Sequence, residues 1–367
     1  MPVSWPQALA WRLGRQFLEP IGSASVAATV DRLCALPATP EASAELAIRL
    51  RRARSRAGEV AQALADGRII KTFAFRGAVH LMTPEAGRAV LALRGASRMW
   101  ELPSWQEYYR VAPEEWPELR TVVAAALAEG PLTRAELGAA VTAHRQFRHL
   151  AFAFADDSGT FLKPLCWHGV MSFGPPRDGR STFQALEGTP RWKGVMELED
   201  AGPRAVEAYL RAYGPATPAN VHHWLTDGLG AGRRRVASWL NGLGDRVATV
   251  DVEGSVAHVM RDDLDELGAA SPSDAVRLLP AFDQWVMGPG SADGHVVPPA
   301  RRSLVSRQAA LVVAGGVVAG TWALKGDEVA VAWFSEAAAM PFERLEGEVA
   351  RMGGILGREL SLDVATV

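Results

Sequence analysis

Cysteine is scarce: Cys34 and Cys166 are the only two among 367 residues, and each sits in an apolar neighbourhood. Two such thiols provide neither a disulfide framework nor a zinc site, and they read as reduced core residues of a cytoplasmic protein. The chain also lacks an apolar run long enough to span a bilayer, so no membrane association is expected. Its first residues, MPVSWPQALAWRLGRQFL, carry Arg12 and Arg15 within the apolar spacing and show no small-residue cleavage pattern, which predicts an amphipathic helix rather than a signal peptide. An excess of one charge is missing as well. The net charge is −2, so any affinity for nucleic acid must come from uneven placement of the cations. Gly288, Gly290 and Gly294 have neither the spacing nor the strand-to-helix setting of a phosphate loop. His222 and His223 are adjacent on a helix, where their side chains diverge and cannot share a metal. No metal or cofactor is expected.

What is present is a globular composition, 48% hydrophobic and 22% charged, in a chain long enough for two to four domains. The stretch GRIIKTFAFRGAVHLM organises the first part. Two apolar-rich runs, 69–75 and 78–82, meet at Arg76-Gly77, a turn that tolerates positive φ, and this predicts a hairpin over 68–82. A helix ending at Gly67 precedes it. A helix feeding a cationic hairpin reads either as a winged helix whose Lys71, Arg76 and His80 meet phosphates, or as a surface hairpin with solvated cations. Upstream, the spacing predicts a helix through ASVAATVDRLCAL, stopped at Pro37 and Pro40. Another follows through EASAELAIRLRRARSR, ending in a run with Arg49, Arg51, Arg52, Arg54 and Arg56. That run suits a solvated helix terminus, or contact with phosphate.

The pattern recurs. After helices over 84–105 and 114–129, Thr133 and Glu136 have capping-box spacing, and a hairpin is predicted over 170–186 with Lys163, Arg177 and Arg180 as its cations. A third unit places Arg233, Arg234 and Arg235 near the start of a recognition-helix candidate, before a hairpin over 246–260. Trp105, Trp167, Trp224 and Trp239 fall at helical spacing and read as core, with base stacking as the alternative. From Ser271 the period changes to two, predicting a small β-rich domain with Gly-Gly and Lys-Gly-Asp turns. Asp283 is the one carboxylate in the apolar stretch LLPAFDQWVMG, read as a strand. It is either an acceptor for a turn or an orienting group facing a ligand. Ser291, Asp293 and His295 share one loop without an elbow motif, a weak signal for a triad.

Four separated stretches in order, RIIKTFAFRGAVHLMTPE, GTFLKPLCWHGVMSFGPP, YLRAYGPATPANVHHWL and LLPAFDQWVMGPG with HVVPPARRSLVSR and GGVVAGTW, resemble the winged-helix bacterial DNA glycosylases of the AlkZ and YcaQ type. The resemblance implies an α+β, mainly α fold: three tandem winged-helix units in a C-shaped scaffold plus a C-terminal β-rich domain. The corresponding segments are 1–115, 116–200, 201–268 and 269–367. It further implies a monomer, cytoplasmic and nucleoid-associated, that binds duplex DNA carrying alkylated bases. Excision of bulky alkylated purines is the implied activity, in several relatives as self-resistance to a genotoxin.

The family's catalytic triplet, two Gln (or Gln with Asp, or His with Gln) around an apolar residue, falls here on Pro37-Ala38-Thr39. Cleaving an N7-alkylpurine calls for a positioned water and stabilisation of an oxocarbenium-like sugar. Proline brings no side-chain donor or acceptor, and threonine brings one hydroxyl. Two readings stay open at this stage. In one, Thr39 with Glu41 or Glu45 positions the water; the functional option for Asp283 is then an orienting role facing DNA. In the other, the chain is a DNA- or lesion-binding homologue without the chemistry; a transcription factor is a third option, although nothing marks an effector domain.

Overall fold

The computed structural model describes residues 2–367, which fold as a mixed α+β chain with three sheets among them. Two compact units are formed, one from residues 2–60, 206–224 and 240–367, the other from 61–205 and 225–239.

In the first unit, helix Trp5–Arg15 starts where the Ser4 hydroxyl accepts from the Gln7 amide, with Pro6 in its first turn, the expected N-terminal chemistry. The next helix is Val26–Arg32, shorter than the apolar spacing predicts. Leu33 to Leu36 are all buried, which mimics a helical face. The chain nevertheless leaves the helix at Cys34, which takes φ 64°. Helix Glu41–Leu50 follows, and it too ends before the predicted Arg56.

The third predicted hairpin is present as Val247–Val252 and Ser255–Met260. Its turn residues Glu253 and Gly254 have φ 49° and 84°, the left-handed pair that a two-residue turn needs. Strand Pro2–Val3 adds to it in parallel. A five-stranded sheet runs in the order Val276–Leu279, Ala310–Ala314, Val317–Lys325, Glu328–Trp333, Ser361–Thr366. Its last pair is parallel, which requires a crossover, and helix Phe342–Leu356 supplies it. Leu345, Val349 and Met352 of that helix pack on Val276, Leu278, Val329 and Trp333. Another core joins Leu9, Leu13 and Leu18 to Trp285, Leu311, Val313 and Phe334. Burial of each such side chain contributes about 1.5–3 kcal/mol.

One expectation is corrected here. The strand ends at Leu279, and Asp283 caps a short helix, Gln284–Met287, by accepting from the Trp285 amide at 2.8 Å.

The second unit holds the other two predicted hairpins, Ile70–Phe73 with Val79–Met82 and Met171–Arg177 with Arg180–Ala185. They do not stand apart. Lys71 pairs with Phe173, so both hairpins belong to one sheet, joined further by Leu132–Thr133. The Trp167 indole donates to the Phe73 carbonyl at 3.1 Å, tying helix Lys163–Trp167 to the first hairpin. Thr133 and Glu136 form the predicted capping box on helix Arg134–Thr142. The single helix predicted over 84–105 is broken into Pro84–Gly95 and Pro103–Tyr109, with Arg98 left-handed between them. Trp167, Trp224 and Trp239 are buried, as predicted for core residues, whereas Trp105 is half-buried.

Candidate active site and cationic surface

Pro37-Ala38-Thr39 lies between helices Val26–Arg32 and Glu41–Leu50, with Pro37 ending the short strand Leu36–Pro37 and Ala38-Thr39 in the turn that follows. Ala38 is buried at 3% exposure, Pro37 is half-buried, and Thr39 and Pro40 are exposed, so Thr39 lies on the outer side of the turn. Glu41 is exposed in the first turn of its helix, where the helix dipole favours a carboxylate. The other acid considered, Glu45, accepts from the Gly58 amide at 3.1 Å and serves that turn. Cys34 does no chemistry here. Its thiol donates to the Ala208 carbonyl at 3.1 Å, and burial pushes its pKa up, leaving it an inert thiol.

Behind the turn lies a buried polar network. The Tyr213 hydroxyl donates to the Leu33 carbonyl at 2.7 Å, and Gln284 Nε2 donates to the Ala35 carbonyl at 2.5 Å. Beside Gln284, Asp283 receives both arms of the Arg51 guanidinium at 2.7 and 2.6 Å. Both of these charged side chains are wholly inaccessible. Arg51, a candidate for phosphate contact, instead contacts Asp283 and the Ala47 carbonyl, and of the two readings of Asp283 its burial and its bond to the Trp285 amide support the structural acceptor. Tyr213 and Gln284 were missed in the sequence, because a tyrosine or glutamine inside an apolar stretch reads as ordinary core edge.

The remaining cations divide by exposure. His80 is buried, with Nδ1 3.0 Å from the Ala78 carbonyl, and burial lowers its pKa to about 4. It is therefore neutral at pH 7 and out of reach of a phosphate, against expectation. Arg52 is nearly buried, donating to the Ala24 carbonyl and to Glu59. Lys71 and Lys163 are half-buried, with ammonium groups 5.3 Å and 5.6 Å from the ring centres of Phe173 and Phe73. Burial, ahead of nearby Arg94, lowers the pKa of Lys163. Arg177 is exposed but pairs with Glu136. Arg54, Arg76, Arg180, Arg233, Arg234 and Arg235 are exposed.

Compared with known proteins, residues 30–355 match the family described as DNA glycosylase AlkZ-like. The chain belongs to the AlkZ-like DNA glycosylase family. It is 36% identical over 364 residues to an interstrand DNA cross-link repair glycosylase of Streptomyces sahachiroi, covering 97% of this chain and 98% of that relative. Its fold is similar to that of the solved Streptomyces sahachiroi DNA glycosylase AlkZ, with a TM-score of 0.94 at 35% identity and full coverage of both chains. AlkZ-like membership makes DNA the class of substrate. Among the described residues, no cluster of three or more His, Cys, Asp or Glu is placed to hold a metal, and no helix is long and apolar enough to cross a membrane.

Proposed function

We propose that this AlkZ-like protein hydrolyses the N-glycosidic bond of bulky N7-alkylguanines in duplex DNA, as a self-resistance enzyme against a genotoxin. The observation that carries this reading is the full-length similarity to a cross-link repair glycosylase, together with the exposed hydroxyl and carboxylate of Thr39 and Glu41 at the triplet turn. Alkylation at N7 puts a positive charge on the purine, so the base departs as a neutral leaving group with the glycosidic electron pair. The enzyme is left to hold a water against C1′ of the oxocarbenium-like sugar and to take its proton. In this reading Thr39 orients the water and Glu41 accepts the proton. A site with one hydroxyl and no amide suits labile, cationic adducts and is poorly equipped for neutral lesions.

DNA would be held through phosphates by the exposed arginines. Arg233, Arg234 and Arg235 occupy the first turn of helix Arg233–Gly242, where the helix dipole disfavours each cation by about 0.3–1 kcal/mol. Three of them there fit a segment whose partner is an anion. We read the three hairpins as wings of tandem winged-helix units, with the four-segment division given above, in a monomer. The alternative is a homologue that only binds the lesion, favoured by the one departure in the chain, Pro37 and Thr39 where the family has paired polar side chains.

Thr39→Ala and Glu41→Gln decide where the chemistry sits. Each is expected to slow single-turnover excision of an N7-alkylguanine by on the order of 10²-fold, with duplex affinity unchanged in parallel binding assays. An active parent matched by both variants would place the reaction elsewhere.

A further inference from the structure

The segment bearing Thr39 and Glu41 is gripped at both ends by two consecutive residues. At its start Gln284 donates to the Ala35 carbonyl, and at its end Asp283 holds Arg51. Both belong to the start of helix Gln284–Met287, Asp283 as its cap. Tyr213 completes the first grip: its hydroxyl donates to the Leu33 carbonyl, while Gln284 Oε1 lies 3.2 Å from the same hydroxyl. The amide of Gln284 has only one workable orientation, because Oε1 turned to Ala35 would set two acceptors against each other. Both side chains are almost wholly buried, Tyr213 at 0% and Gln284 at 1% exposure.

Burying an amide and a phenol costs desolvation, and a hydrogen bond returns only about 0.5–1.5 kcal/mol net. An apolar pair would fill the same space at least as well. What the polar pair adds is direction. It fixes the Leu33–Cys34 and Ala35–Leu36 peptide planes, which bracket Cys34 and Ala35; Cys34 is the residue whose left-handed conformation turns the chain toward the triplet. We propose, on the glycosylase reading above, that Tyr213 and Gln284 are positioning residues that set the placement of the Thr39 hydroxyl relative to the sugar.

Tyr209 provides an internal control. It lies on the same helix, is equally buried, and donates its hydroxyl to the Gly288 carbonyl at 3.2 Å, away from the turn. Tyr213→Phe and Tyr209→Phe each remove one buried hydroxyl, so similar losses of melting temperature are expected. Misplacement of a reacting group by about 1 Å lowers rates by as much as 10²-fold. Tyr213→Phe is therefore expected to slow single-turnover excision by about 10- to 10²-fold at saturating protein, with unchanged duplex affinity, while Tyr209→Phe keeps the parent rate. Gln284→Met is expected to behave like Tyr213→Phe.

Amide hydrogen exchange over residues 34 to 39 gives a readout independent of activity. It should rise in Tyr213→Phe and Gln284→Met but not in Tyr209→Phe. Parent-like rates in Tyr213→Phe, or equal losses in Tyr209→Phe, would overturn the proposal. If the parent excises nothing, the glycosylase reading fails in that measurement alone. The exchange comparison then still decides whether Tyr213 and Gln284 hold the turn: a rise confined to their variants sustains it, and none overturns it.

Discussion

Duplex DNA binding is expected to weaken by about 10³-fold or more as salt rises from about 50 to about 200 mM. The net charge of −2 does not argue against this, because the effect depends on the cations that replace counterions at phosphates, not on the total charge. Arg54, Arg76, Arg180, Arg233, Arg234 and Arg235 are exposed. If each neutralises one phosphate, the slope of log affinity against log salt is about −5. Arg51 and His80 add nothing, being buried. Replacing Arg233, Arg234 and Arg235 together by Ala should make the slope shallower by about 3. Binding titrations across a salt series measure both quantities. A flat dependence would remove the phosphate-contact account.

Asp283→Asn is expected to destabilise the protein by about 3–5 kcal/mol, because the Arg51 guanidinium would stay buried without its countercharge. Asparagine can still cap the helix at Trp285, so the loss isolates the charge. At about 2–4 °C per kcal/mol for a unit of this size, the melting temperature should fall by roughly 6–20 °C. Arg51→Met combined with Asp283→Leu should recover much of that loss, since an apolar pair in the same space leaves no orphaned charge. Melting curves of the parent and of these two variants form the test. An unchanged melting temperature with lost excision would instead give Asp283 a role in the chemistry.

The three hairpins were legible in the sequence because their signals are local. Alternating burial along Val247–Val252 and the left-handed pairs at Arg76-Gly77, Asp178-Gly179 and Glu253-Gly254 are fixed by a few neighbouring residues. The union of the first two hairpins in one sheet was not legible, since one pairing, Lys71 with Phe173, joins stretches about a hundred residues apart. The Val26–Arg32 helix was overextended for a related reason. Buried Leu33 and Leu36 keep a helical spacing that the left-handed Cys34 interrupts, and nothing in a cysteine announces positive φ. At the candidate site, the resemblance pointed to Pro37-Ala38-Thr39, and Pro37 and Pro40 marked a break between two helices. The support behind it was hidden. Asp283 and Arg51 are 232 positions apart, and an arginine within a basic run gives no sign that it turns inward.

The central claim is that this chain excises a base. The most direct measurement incubates excess protein with a duplex carrying one bulky N7-alkylguanine and follows abasic-site formation by strand scission in mild alkali. The account predicts single-turnover release of the adduct with an abasic site in its place, abolished or strongly slowed in Thr39→Ala and Glu41→Gln. Tight binding of the adducted duplex with no abasic site above the rate of spontaneous depurination would contradict it and leave a lesion-binding protein.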